Sequence, residues 1–76
     1  MIAEHDRVVL SADMPRDGLM AGDVGTVVHV YRGGRTFEVE FVSLDGKTAA
    51  VVTVAKRQVR TVRENEIAHA RVLAVA

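Results

Sequence analysis

Cysteine and tryptophan are absent from this 76-residue chain, proline occurs once, and the aromatic residues are only Tyr31, Phe37 and Phe41. Without cysteine there is no disulfide framework, no thiolate metal site and no thiol nucleophile, a composition that suits the cytoplasm. Neither sign of charge dominates. Lys plus Arg and Asp plus Glu each number 10, so the broad positive field of many nucleic-acid-binding domains is missing, although a local basic patch is not excluded. No apolar run approaches the roughly eighteen residues of a membrane span, and Met1–Arg7 has no cationic region followed by an apolar core. A soluble protein without signal peptide or span is expected. Leucine occurs at only four positions against 15 valines, and that imbalance favours strands over helices. A chain this short forms one domain, residues 1–76, burying only about 60% of its unfolded surface and leaving little room for an internal pocket.

The most informative stretch runs from Gly22 to Tyr31. Two glycines three residues apart imply a tight turn and then a backbone that passes close to another strand, where a Cβ would be in the way. After them Thr26, Val28 and Val30 fall on one face, with Val27, His29 and Tyr31 on the other. Apolar groups on both faces mark this as the curved central strand of a small barrel. Before it, Asp6–Ser11 reads as a first strand. The stretch 12–21 reads as a loop around Pro15, Asp17 and Gly18, with Leu19 and Met20 covering one end of the barrel. Arg32-Gly33-Gly34-Arg35 is expected to form a two-residue hairpin turn.

The third strand, Thr36–Val42, alternates cleanly, with Phe37, Val39 and Phe41 inward and Glu38 and Glu40 outward. A second hairpin at Asp45-Gly46 leads to a fourth strand over Thr48–Val54. A single 3₁₀ turn over 55–58 and a short strand over Val59–Val62 follow. The tail from Arg63 is ambiguous: Glu64, Glu66 and several alanines favour helix, while residues 67–72 alternate small apolar with polar residues. Giving the alternation more weight, a sixth strand is expected, paired with the first strand or with a second copy of the chain. The whole describes an all-β, SH3-like partly open barrel of five strands with a sixth from the tail.

Leu10, Asp13-Met14-Pro15, Gly18-Leu19, the run from Ala21 to Tyr31, Phe37 to Val42 and Asp45-Gly46 resemble a family of short bacterial proteins known as domain of unknown function number 4926. The resemblance extends over about Glu4 to Val72. It implies an SH3-like barrel and brings neither an activity nor site residues. More distantly, Gly22-Asp23-Val24-Gly25-Thr26-Val27 is similar to the barrel of nitrile hydratase β subunits and to the KOW motif of ribosomal and transcription-elongation proteins.

Candidate chemistry is sparse. Gly22 and Gly25 lack the Gly-Lys-Ser/Thr and following helix of a phosphate loop. His5, His29 and His69 lie on separate segments without metal-site spacing, so no metal or other cofactor is expected. Neither Ser11 nor Ser43 sits in a nucleophile elbow. Glu38 and Glu40 lie roughly 6 to 7 Å apart on one strand face, within the range of acid/base pairs, but an exposed sheet face does not raise a carboxyl pKa. Opposition by Lys47 or Arg35 across a hairpin is the plainer expectation for them, and an enzyme is not expected.

The remaining readings are binding modules. The first is recognition of another protein through the face bearing His29, Tyr31, Glu38 and Glu40, or through the edge strand of a partly closed barrel. An adaptor, an accessory subunit or an immunity-type partner fits that class. Self-association through the edge or the tail is a further use of the same surfaces. The alternative is a nucleic-acid-binding barrel using Lys56, Arg57, Arg60 and Arg63 on phosphates, weakened by the shortage of aromatics for base stacking.

Overall fold

Val24–Val30 lies at the middle of the sheet because it is the one strand that must pair on both sides while carrying a glycine inside it. A computed structural model describes residues 1–73. Its five strands are β1 (Arg7–Leu10), β2 (Val24–Val30), β3 (Thr36–Val42), β4 (Thr48–Ala55) and β5 (Val59–Thr61). All pairings are antiparallel, in the order β4-β3-β2-β1-β5. β4 and β5 do not pair, so the sheet coils into a partly open SH3-like barrel. No helix among the described residues is long and apolar enough to cross a membrane.

The core follows from side-chain parity. Val27, Val39 and Val52 stand opposite one another across β2, β3 and β4, and Val30, Phe37 and Val54 form a second row on the same face. Val8, Leu10 and Val59 close the core from β1 and β5. Phe37, Leu10, Val8, Val27, Val39 and Val54 are each less than 2% exposed. Of the two residues expected to cap the barrel, Leu19 is buried and Met20 remains 44% exposed.

Gly25 explains the coiling. It faces inward opposite Val8, and a Cβ there would stand 2.5 Å from Val39 Cγ1, 2.9 Å from the Glu40 carbonyl oxygen and 2.9 Å from the Phe41 ring. The missing side chain is therefore the space into which β3 packs. Gly22, at φ +96°, makes the turn into β2 and donates its N–H to the Leu10 carbonyl at 2.9 Å.

The loops depart in detail from the sequence expectation. The β2–β3 connection is a four-residue loop, closed by Tyr31 N–H on the Thr36 carbonyl at 2.9 Å, with Gly33 and Gly34 both at positive φ. Inside this wider loop Gly34 N–H donates to the Tyr31 carbonyl at 3.0 Å, closing a turn. The β3–β4 hairpin is closed by Ser43 N–H on the Lys47 carbonyl at 2.8 Å, with Gly46 at φ +89°. A 3₁₀ turn over Pro15–Asp17 sits within the first long loop, and a second over Lys56–Gln58 joins β4 to β5, as the sequence implies.

The expected sixth strand does not form. Residues 62–73 carry no strand or helix, and residues 74–76 lie outside the described part. The alternation of residues 67–72 fails to make a strand because the segment is pinned by charged side chains instead of by a ladder. Ile67 and Val72, which alternation would have placed for packing, are each 92% exposed.

Gly25→Ala is expected to lower stability by about 2 to 3 kcal/mol, since its methyl overpacks a closed core. Gly33→Ala, with open space around its Cβ and only its positive φ to oppose it, should cost about 1 kcal/mol. Urea midpoints of the two variants measure the difference; equal losses would show that the Gly25 contact has slack.

Candidate functional site

Strict alternation along β2 would turn His29 and Tyr31 into the core beside Val27. A bulge at Val28 prevents this: the register passes from Val27↔Val39 to His29↔Glu38, so Val28 is the extra residue. Such a bulge reverses which face later side chains occupy. Val30 consequently packs on the core, while His29 and Tyr31 move to the outer face occupied by Glu38.

There the rings of His29 and Tyr31 meet edge to face, with centroids 4.6 Å apart at 82°. Tyr31 donates its hydroxyl to Glu38 Oε1 at 3.3 Å, and Thr53 Oγ1 donates to the same oxygen at 2.5 Å. Three strands thus supply one connected polar surface. Glu40 is separate from it, accepting from Thr48 Oγ1 at 2.7 Å. Threonine hydroxyls from β4, not Lys47 or Arg35, therefore partner the two carboxylates; Lys47 instead lies 4.0 Å from Asp45.

The surface continues onto the outer edge of β4. Lys56 N–H bonds the Arg35 carbonyl at 2.9 Å, and the β3 register places Phe37 opposite Val54 and Val39 opposite Val52. By alternation the amides of Val52 and Val54 face β3, and those of Val51, Thr53 and Ala55 face outward. The Ala55 N–H is taken by Gln58 Oε1 at 2.7 Å. Among the described residues no strand pairs with the outward groups of Val51 and Thr53. The strand carrying them, Thr-Ala-Ala-Val-Val-Thr-Val-Ala, contains no charge and no proline.

Of the four basic residues that the sequence groups together, only Arg60 is held in an ion pair among the described residues. Lys56 and Arg57 are exposed on the 3₁₀ turn, and Arg35 lies alongside them through its carbonyl. Arg60 is held in a bidentate pair with Glu66, at 2.9 and 2.6 Å. Arg63 gives its backbone N–H to the same carboxylate at 2.6 Å. His5, His29 and His69 are not brought together, and no group of three metal-binding side chains occurs among the described residues.

Glu66 belongs to a clamp on the tail that nothing local in the sequence discloses. Asn65, at φ +64°, turns the chain so that Glu66 reaches back to Arg60. Further on, Arg71 grips Asp23 through Nε at 2.9 Å and through Nη2, which also reaches the Gly18 carbonyl at 3.2 Å. Burial pushes the Asp23 carboxyl up, but hydrogen bonds from Arg71 and the Met20 amide outweigh it and hold the group below its ordinary value. The clamped tail forms one wall of two shallow grooves, of about 480 and 750 Å³, over Val24 and Val42.

The Arg60 guanidinium, helped by the Arg63 amide, draws Glu66 from 4.5 down to about 2. A depressed folded-state value means that this part of the clamp is complete above about pH 4.5 and is lost as pH falls towards 2. The NMR titration of the Glu66 carboxyl, followed together with the Arg63 amide, should show a midpoint near 2 and joint loss of both signals' folded positions; a midpoint near 4.5 would show the clamp open in solution.

No curated protein and no solved structure matches the chain. A family model described as Domain of unknown function (DUF4926) matches residues 4–61, from just before β1 to the last residue of β5. The match stops short of the tail, which the sequence resemblance had included as far as Val72. With all five strands inside the matched residues, the chain belongs to the DUF4926 family.

Proposed function

We propose that this protein is a non-catalytic, cytoplasmic protein-binding module that takes an extended segment of its partner onto the free edge of β4. The observation that carries this reading is the edge itself: eight residues without charge or proline, with the amides and carbonyls of Val51 and Thr53 turned outward. Sheet edges left open are ordinarily protected by charge, proline, bulges or shortness. β5, at three residues, has that protection, and β4 has only a bulge near its start, between Phe41 and Val42 in the register with β3. Strand addition uses main-chain hydrogen bonds for affinity and alternate side chains for specificity. The side-chain surface beside this edge is Thr53, Glu38, Tyr31 and His29. The absence of cysteine suits a reducing compartment. Adaptor, accessory-subunit and immunity-type roles all use such a module.

Support for the nucleic-acid alternative is thinner, since Arg60 is neutralised by Glu66 and Tyr31, the one exposed aromatic, is tied to Glu38. Val51→Pro separates the readings. Its ring removes an N–H that β3 does not use, so the barrel should stay folded. The tagged protein should capture a stoichiometric protein partner from its source cells, resistant to nuclease and high salt. Val51→Pro should lose that partner and Val51→Thr keep it. Capture unchanged in the proline variant, or capture that disappears with nuclease, would overturn the proposal.

A further inference from the structure

We infer that the segment bound on β4 carries acidic residues on its N-terminal flank, a conclusion that rests on the strand-addition reading above. β4 itself is neutral, but at its C-terminal end the chain turns directly into Lys56 and Arg57. The 2.9 Å hydrogen bond from Lys56 N–H to the Arg35 carbonyl fastens a third cation beside them. All three side chains are exposed, and none is paired with a carboxylate among the described residues. The contrast with Arg60 and Arg71 matters here, because both of those cations are already spent on internal carboxylates. What remains at the end of the open edge is uncompensated positive charge.

The edge limits where a partner strand runs. Val51 and Thr53 offer open backbone groups, whereas Gln58 closes the edge at Ala55. A segment pairing with the open part therefore meets Lys56 and Arg57 as it leaves the ladder. Every pairing in this sheet is antiparallel, and an antiparallel guest has its N-terminal flank at the Ala55 end of β4. Complementary charge at such a rim fixes direction and register and speeds encounter. A second copy of this chain fits less well. Running antiparallel, it would bring its Ser43–Lys47 hairpin to the cationic end, where Asp45 already accepts from Ser43 and faces its own Lys47.

Two synthetic peptides of one composition test the assignment, each with a five-residue Val/Thr core and three glutamates placed either before or after it. Binding is read by fluorescence anisotropy, and the site by perturbation of the Val51 and Thr53 amides in NMR spectra. The peptide with N-terminal glutamates should bind at least about tenfold more tightly. That advantage should vanish in Lys56→Glu/Arg57→Glu and pass to a peptide with N-terminal lysines. Val51→Pro should abolish binding of both peptides. Equal binding of the two peptides, lost in Val51→Pro but indifferent to the charge reversal, overturns the acidic flank and leaves strand addition standing. Binding insensitive to Val51→Pro overturns both. Two other outcomes overturn the acidic-peptide assignment: concentration-dependent dimerisation blocked by Val51→Pro, and single-stranded DNA competing at the cationic end.

Discussion

The close approach of β2 and β3 at Gly25 is the constraint on which the rest of the structure depends. With Val39, Phe41 and the Glu40 carbonyl all inside the distance that a Cβ needs, this position admits no side chain without displacing the core. The space saved is what lets one sheet of five short strands wrap around two phenylalanines and a set of valines. A flatter sheet of this length would leave its apolar face in water, since the described residues include no α-helix to cover it. The close approach at one residue thus sets how tightly the sheet packs over its core.

Coiling of this kind brings the two ends of the sheet round without joining them, and the ends are then treated differently. β5 is short, and its outward Arg60 is covered by the Glu66 clamp. β4 is the longest strand, and along its length the sequence supplies only threonine, alanine and valine. Val52 and Val54 fill the core from this strand, while Val51 remains half exposed on the other face. The same alternation that builds the core therefore presents an apolar side chain beside unpaired backbone groups.

Much of this fold is legible in the residues. The glycine spacing, the alternation of Phe37, Val39 and Phe41, and the Asp45-Gly46 turn are local signals, and local chemistry determines the outcome at each. The candidate site is only partly legible. Glu38 and Tyr31 can be selected as exposed polar groups, but their meeting depends on the bulge at Val28, which exists only as a mismatch between two paired strands. The tail is illegible for a related reason. Arg71 finds Asp23 across 48 positions of sequence, and no periodicity encodes such a pair. The alternation of residues 67–72 describes a strand that has no edge to join on β1, because β5 and β2 already occupy both sides of it.

That last point also separates the two readings of the basic residues. A cluster read along the sequence groups Lys56, Arg57, Arg60 and Arg63, as if charge were shared by proximity in the chain. In the folded protein the groups are sorted by what lies opposite them: Arg60 faces a carboxylate that the tail returns to it, whereas Lys56 and Arg57 face solvent beside Arg35. A paired arginine contributes little field beyond its partner, while unpaired cations on a low-dielectric rim project theirs outward. The clamp therefore does more than hold the tail. By neutralising Arg60 it leaves Lys56 and Arg57, beside Arg35, as the unpaired cations at the end of the open strand, where a direction along β4 acquires an electrostatic meaning.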